Sequence, residues 1–323
     1  MRRIVLAVIA TATISGLAGG AAAQPFPSRP IALIVPYSAG GPTDTIARIV
    51  GERMAQSLGQ AVVVENVSGA AGTIAAARVA RAAPDGYTLD IATWSSHVVS
   101  PVIYQLPYDV FRDFDPVAWL TQTPLLLVAK KGVPANDLKE LVAWLKTDPD
   151  PVLLGSAGGT DQVAGYLLQQ QTGAKIQIVP YRGLAPAMQD LLAGRIDFLF
   201  DQPSDALPQI RAGNIKVYAV TASTRAAVAP DIPTVDEAGL PGLHITPWHS
   251  LWVPKSTPPA VIARLNAAAV DALADPGVRK RLGDIGQEVV PRAQQSPQAL
   301  AAYYKAETDK WWPIVKAAGI KAD

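Results

Sequence analysis

Two runs of small residues carry the chemistry that this chain shows on its face. Tyr37, Ser38, Ala39, Gly40 and Gly41 lead through Pro-Thr to Asp44, and Ser156, Ala157, Gly158, Gly159 and Thr160 lead to Asp161. Each run follows an apolar, β-branched segment and precedes one with helical spacing, so each reads as strand, glycine turn, helix. The first backbone N–H groups of a helix have no partner inside it, and the helix dipole adds positive potential there. Glycine removes the side chains that would keep a ligand away. Such a turn is suited to an anion. Neither run has the Lys-Ser/Thr ending of a phosphate-cradling loop or the spaced glycines of a dinucleotide fingerprint, which argues against nucleotide phosphate. Taken alone, Gly40 and Gly41 serve a tight connection equally well; the second turn favours a clamp made of two helix starts.

Other polar residues fall at the ends of neighbouring strands. Trp94, Ser95, Ser96 and His97 follow the strand expected over 87 to 93; Tyr181, Arg182 and Gly183 follow that over 176 to 180; Asp201 ends the run RIDFLF. Arg182 offers a two-pronged bond to a carboxylate, or simply a solvated charge. Asp201 offers an acceptor for a ligand donor, or a cap for the helix that follows. Catalysis finds little support. There is no cysteine, hence no thiolate nucleophile, disulfide or cysteine-based zinc site. The three histidines are His97, His244 and His249; no G-x-S-x-G elbow is present, and Ser95 and Ser96 lie too close to His97 along the chain for a recognisable triad. His244 and His249 lack the i, i+4 spacing of a helical metal pair. No enzyme, metal or cofactor is expected.

The elements that must position these turns alternate. Ile31 to Val35 reads as a buried strand, and Ile46, Ile49, Val50, Met54 and Leu58 mark one helix face, with Thr43 or Asp44 at its N-cap. A strand over 61 to 66, an Ala-rich helix over 72 to 86 and the strand over 87 to 93 follow. From 107 to 123 the rhythm breaks, and a second series begins with LLLVAK: a helix over 136 to 147, a strand over 151 to 155, a helix from Asp161, then IQIVP, a helix over APAMQDLLAG, RIDFLF, a helix over PSDALPQI and IKVYAVT. The Pro-rich stretch 230 to 243 reads as a surface connection, and TPWHSLWVPK brings the chain back. The helical remainder would cover the first sheet. In open α/β folds ligands bind at the carboxyl ends of strands, where all of these turns lie. The fold class is therefore α/β with two lobes: a discontinuous domain, 24 to 123 plus 247 to 323, and a continuous one, 124 to 246, hinged around a cleft.

MRRIVLAVIATATISGLAGGAAA carries two arginines, an apolar stretch too interrupted for a membrane span, and Ala21-x-Ala23. It reads as a secretory signal peptide cleaved after Ala23. Loss of Arg2 and Arg3 turns 28 basic against 27 acidic residues into 26 against 27, which disfavours nucleic acid as a partner. Export without disulfides fits a bacterial periplasm.

The chain as a whole resembles the Bug family, the solute-binding receptors of tripartite tricarboxylate transporters. The segments that carry the likeness are PSRPIALIVPYSAGGPTDTIAR, NVSGAAGTIAAARVARAAPDGYTL, LPYDVFRDFDPVA, GSAGGTDQVAGYLL, VPYRGLAPAMQDLLAGRIDFLFDQ, LPQIRAGNIKVYAVT, PDIPTVDEAGLPG and LWVPKSTPPAVIARLN. The resemblance implies a monomeric periplasmic binding protein of type II, a Venus flytrap with a mainly parallel sheet in each lobe, which delivers a small carboxylate to membrane permease subunits. It implies that backbone amides and waters of two glycine turns grip the carboxylate, and those turns correspond to Tyr37 to Asp44 and Ser156 to Asp161. Trp94 departs from the small or polar residue expected at its position. With Tyr37 and Tyr181 it suggests an aromatic or flat acid such as terephthalate, the alternative being a packing role. A co-receptor for a membrane sensor kinase would look the same in sequence.

Overall fold

A computed structural model describes residues 26 to 147, 150 to 181 and 183 to 320. The expected signal peptide and Arg182 lie outside the described residues. The first half of the chain forms β1 (Ile31–Val35), α1 (Pro42–Leu58), β2 (Val62–Asn66), α2 (Thr73–Ala80), β3 (Thr88–Thr93), α3 (Ser100–Ile103), α4 (Val110–Asp113) and β4 (Phe114–Gln122). Then come β5 (Leu126–Lys130), α5 (Leu138–Thr147), β6 (Val152–Ser156), α6 (Thr160–Thr172), β7 (Ile176–Pro180), α7 (Leu184–Leu192), β8 (Phe198–Asp201), α8 (Pro203–Arg211) and β9 (Ile215–Val220). The return is β10 (Trp248–Pro254), followed by α9 (Pro259–Ala274), α10 (Pro276–Asp284), β11 (Glu288–Val289) and α11 (Pro297–Ala317).

Two sheets result, in the orders β2-β1-β3-β10-β4-β11 and β7-β6-β8-β5-β9. In the first, β1 pairs in parallel with β2 and β3, while β10 runs against β3 and β4 and β11 against β4. In the second, β6 is parallel to β7 and β8, and β5 runs against β8 and β9. The expected mainly parallel sheets are thus mixed. Most strands in each share one direction, but a reversed strand lies between the third and fourth of every lobe. Each of these, β5 and β10, is the first strand laid down after the chain crosses from the other sheet, and it enters from the opposite end. The segment 107 to 123, where the alternation fails, holds β4, a strand that the sequence reading did not assign. All seven residues of β10 are buried, as a strand between two neighbours and two helix layers must be.

The core follows the layers. Ile46, Val50 and Met54 of α1 are fully buried with Leu33, Leu251, Leu265 and Leu273, between the first sheet and α9. Each such side chain stabilises the fold by about 1.5–3 kcal/mol. A second cluster lies between the second sheet and α7 and α8, around Leu126, Met188 and Leu199. A third runs through both lobes, from Trp94, Phe114 and Tyr304 to Leu127, Phe198 and Leu154.

The two crossings run side by side and are bonded to each other. The Thr123 N–H donates to the Pro247 carbonyl at 2.9 Å, and the Thr221 N–H to the Leu125 carbonyl at 2.8 Å. Thr221 Oγ1 accepts from the Leu125 N–H at 2.9 Å and donates to the Ile245 carbonyl at 2.7 Å, all of it buried. Thr221→Val keeps the shape but strands the Leu125 N–H and the Ile245 carbonyl. It should lower the free energy of unfolding by about 1–3 kcal/mol in urea titration; an unchanged midpoint would show that the hydroxyl is dispensable.

Candidate ligand cleft

Strands β1 and β6 deliver the two small-residue turns to the cleft, and each turn ends in a glycine, extended at Gly41 and with φ of +59° at Gly159. Helix α1 starts after Gly41 and helix α6 after Gly159, and no side chain caps either start. The expected N-cap role of Thr43 or Asp44 is not what the structure shows, because Pro42 occupies the first helical position. Asp44 instead folds back and accepts from the Gly40 N–H at 2.9 Å; Asp161 accepts from the Ala157 N–H at the same 2.9 Å. Thr43 turns inward to His249 Nε2 at 3.1 Å. Side chains able to cap therefore brace the turns, and the helix starts keep their N–H groups for something else. Gly40 and Gly158 hold φ of +86° and +97° with open space where a Cβ would stand, which allows a ligand close approach.

The lobes touch at this point. A Cβ on Gly159 would lie 1.9 Å from Ser95 Oγ, so the second turn packs its bare backbone against the loop after β3. Tyr37 is half-buried with its hydroxyl 3.0 Å from Thr93 Oγ1. Burial raises that hydroxyl above its usual range, hydrogen bonding with Thr93 and Ser95 offsets part of the rise, and the charge of Asp161 in the other lobe adds to it. Tyr37, Ser95 and Asp161 thus come together, with Gly40, Gly41, Gly158, Gly159 and Thr160 on the turns that flank them. Ser38 and Ala39 are exposed on the first turn, Ser156 is buried under the second, and Ala157 supplies the N–H that Asp161 takes. Tyr181 and Gly183 follow β7, the edge strand. The Tyr181 N–H continues the sheet to the Ser156 carbonyl at 2.7 Å, and its hydroxyl donates to Asp190 at 2.7 Å.

Of the four residues from Trp94 to His97, only Ser95 reaches the opposite lobe. Trp94 is 1 % exposed, packs edge-on against Trp311 with centroids 5.1 Å apart, and donates from Nε1 to Glu307 at 2.8 Å. Its ring has no free face for a ligand, so the packing alternative holds and the stacking one does not. The loop coils into a tight helical turn over Ser95–Val99, which rotates Trp94 onto α11. His97 is likewise turned inward, among Phe114, Trp252 and Tyr304. Ser96 is buried beneath the cleft, 3.2 Å from His97 Nδ1, and His97 Nε2 lies 3.5 Å from Asp90 Oδ2. That serine–histidine–aspartate order exists in space but is sealed in the lobe, with His97 and Asp90 at 0 % and 1 % exposure, and no substrate could meet it. Burial pushes the Asp90 carboxyl up to about 8 and pulls the His97 imidazole down to about 3, so the pair is neutral near pH 7.

Asp201 ends β8 fully buried, with Oδ1 accepting from the Gln202 N–H at 2.7 Å and Oδ2 unpartnered. Beside it a chain of polar groups joins the lobes: Thr43 to His249, His249 Nδ1 to Thr121 Oγ1 at 3.5 Å, Thr121 to Gln287 at 2.9 Å, and Gln287 to Gln202 at 3.2 Å. His249 is 2 % exposed, and burial holds it neutral, pulled down to about 4. Sequence reading missed Thr93, Thr121, His249 and Gln287. For Thr93, Thr121 and His249 the one local signal is a polar residue within a buried strand, as at His249 in the apolar β10, whereas Gln287 stands just before β11. No group of three or more His, Asp or Glu suited to a metal occurs among the described residues.

Two outcomes follow from this geometry. Trp94→Ala should cost about 3–5 kcal/mol of stability while changing the affinities for aromatic and aliphatic acids by the same factor; selective loss of aromatic acids in titration would reinstate the stacking role. For Asp90, a carboxyl raised from 3.8 to about 8 binds more protons folded than unfolded, so its contribution falls as pH rises through that window. Asp90→Asn should therefore gain stability over the wild type progressively from pH 5 to pH 8 in urea titrations, and an equal difference at both ends would mean that Asp90 is ionised throughout.

Comparison with known proteins agrees with this architecture. Residues 46 to 320 match the model of the tripartite tricarboxylate transporter family receptor. BugT of Bordetella pertussis is 32 % identical over 325 residues, covering 99 % of both chains. Among solved structures, MatC of Rhodopseudomonas palustris with bound malate is 40 % identical with a TM-score of 0.83, covering 90 % of this chain and 100 % of its own. R. palustris Rpa4515 with adipate is 33 % identical with a TM-score of 0.85, covering 92 % and 99 %. A match of this extent, on a two-lobed α/β fold with paired glycine turns, places the chain in the tripartite tricarboxylate transporter receptor family, the Bug proteins, which are solute-binding receptors and not enzymes.

Proposed function

We propose that this receptor captures a small carboxylate between its lobes and delivers it to permease subunits of the tripartite tricarboxylate type. The observation that carries the reading is the pair of helix starts after Gly41 and Gly159, each without a side-chain cap, the second of which meets the first lobe at Ser95. Opposed N–H donors supply charge-assisted bonds to an anion without a buried lysine. The contacts come from Tyr37 to Asp44, from Ser95, and from Ser156 to Asp161. The lobes are 24 to 123 plus 247 to 323 and 124 to 246, moving about the Thr123 and Thr221 bonds. The protein acts as a monomer in the periplasm after cleavage behind Ala23, consistent with the periplasmic setting of the family.

The ligand class draws support from the relatives solved with malate and adipate, both small aliphatic dicarboxylates. The aromatic preference loses its main support with Trp94. A thermal-melt screen of the mature protein against aliphatic and aromatic acids, terephthalate included, identifies the ligand, since one present at a hundred times its Kd adds about 2.7 kcal/mol. Gly159→Val places a Cβ where Ser95 Oγ stands and strains a φ of +59°. It should cost about 1–3 kcal/mol by itself and lose the ligand-induced shift. A wild type that no carboxylate stabilises, or a variant that binds like wild type, would sink the clamp.

A further inference from the structure

A chain of polar groups runs from the first helix start to lobe two, and its protons can be placed. Thr43 Oγ1 lies 3.1 Å from His249 Nε2, His249 Nδ1 3.5 Å from Thr121 Oγ1, Thr121 Oγ1 2.9 Å from Gln287 Oε1, and Gln287 Nε2 3.2 Å from Gln202 Oε1. Thr43, His249, Thr121 and Gln287 are each at most 5 % exposed, and burial keeps His249 neutral. A neutral imidazole has one N–H and one bare nitrogen. The Thr121 hydroxyl has a single proton, and the Gln287 side-chain oxygen takes it. Thr121 must then accept from His249, which puts the ring proton on Nδ1 and leaves Nε2 bare to accept from the Thr43 hydroxyl. All four bonds donate the same way, from Thr43 toward Gln202.

The opposite direction fails on one proton. With both glutamine amides turned over, Gln202 would donate to Gln287, Gln287 to Thr121, Thr121 to His249 Nδ1, and His249 Nε2–H to Thr43. The Thr43 hydroxyl proton would then be buried without an acceptor among the described residues, at a cost that buried polar groups normally avoid. The far end of the chain is well fixed. Gly286 lies bare against Pro203, where an added Cβ would stand 2.5 Å from the Pro203 Cβ, and its carbonyl accepts from Thr123 Oγ1 at 2.9 Å. These contacts hold Gln287 beside Gln202, the residue that precedes α8. The near end is Thr43, in the first turn of α1 and next to Asp44, which braces the Gly40 N–H.

We propose that His249 is a positioning residue for the first helix start: as the Nδ1–H tautomer it holds Thr43 as a donor, and the Gln287 oxygen, acting through Thr121, decides which ring nitrogen carries the proton. Without that oxygen the Thr121 hydroxyl is free to donate to Nδ1. The ring proton then stands on Nε2, with no change in net charge, and Thr43 must accept instead of donate. The contact of Gln287 with lobe two is passed in this way to the start of α1. Its bearing on ligand capture rests on the carboxylate-receptor reading; the proton arrangement does not.

Nitrogen-15 NMR of the mature protein with labelled histidine, refolded from denaturant and held at pH 7, tests it, because a ring nitrogen that bears a proton resonates far from a bare one. The His249 signals are identified by nuclear Overhauser contacts to Thr43 and Thr121. The expected result is a proton on Nδ1 and a bare Nε2 in the wild type, the reverse in Q287L, and a Thr43 backbone amide resonance that shifts with the change. If Q287L fails to fold, T121V gives the same readout, since Nδ1–H then has no hydroxyl to accept from it while Nε2–H still finds Thr43. A wild type protonated on Nε2 or on both nitrogens overturns the proposal, as does a variant in which the proton stays on Nδ1 or the Thr43 amide does not move. The carboxylate-receptor reading stands or falls separately, on the thermal-melt screen.

Discussion

A helix cannot satisfy the N–H groups of its own first turn, and this molecule depends on that deficit. Each lobe has residues that could fill it, Thr43 and Asp44 in one and Thr160 and Asp161 in the other. In neither does a side chain cap the helix. The aspartates fold back to hold the preceding turn, and Thr43 is drawn down to His249. A side-chain cap typically stabilises a helix by about 1 kcal/mol, so two are forgone. The layers of α1 against α9 and of α6 against its sheet make that tolerable, because burial rather than capping holds these helices.

Bringing two such starts together constrains the rest of the fold. Both must sit at carboxyl ends of strands, so β1 and β6 must be interior to their sheets, as they are in orders that match from lobe to lobe. The chain must also cross twice, and the crossings must stay adjacent if the lobes are to meet in register. The Thr123, Thr221 and Ile245 bonds keep them so. At the contact itself only glycine fits, since any Cβ at 159 would occupy the place of Ser95 Oγ.

The strand and helix rhythm, both glycine turns and the return near residue 247 were legible in the sequence because each is written in local spacing. What was not legible depends on residues far apart. The loop Trp94 to His97 looked like a continuous polar rim at a strand end, but a helical turn points its members in different directions, and Glu307 and Trp311 from α11 decide where Trp94 goes. No periodicity near residue 94 could reveal partners more than 200 positions later. The same holds for His249, whose partners Thr43 and Thr121 lie on separate elements. The strand β4 escaped notice because Asp115 and Pro116 interrupt its apolar pattern at the end next to α4.

The buried polar groups fall into two kinds. Thr43, His249, Thr121, Gln287 and Gln202 form a chain in which nearly every donor has an acceptor, and neutral His249 can accept from one threonine while donating to the other. Such a chain ties the first helix start to the beginning of α8 through the bond between Gln287 and Gln202. Asp90, His97 and Tyr108 differ, since each keeps a polar atom without a partner. Ionised, that pair would be a poorly bonded buried salt bridge, which apolar residues of similar size would outdo. Neutral, it is a smaller penalty that the surrounding Phe114, Trp252 and Tyr304 can carry by burial. Lobe one thus holds unmet polarity deep in its core, and lobe two does the same at Asp201, whose Oδ2 is buried without a partner.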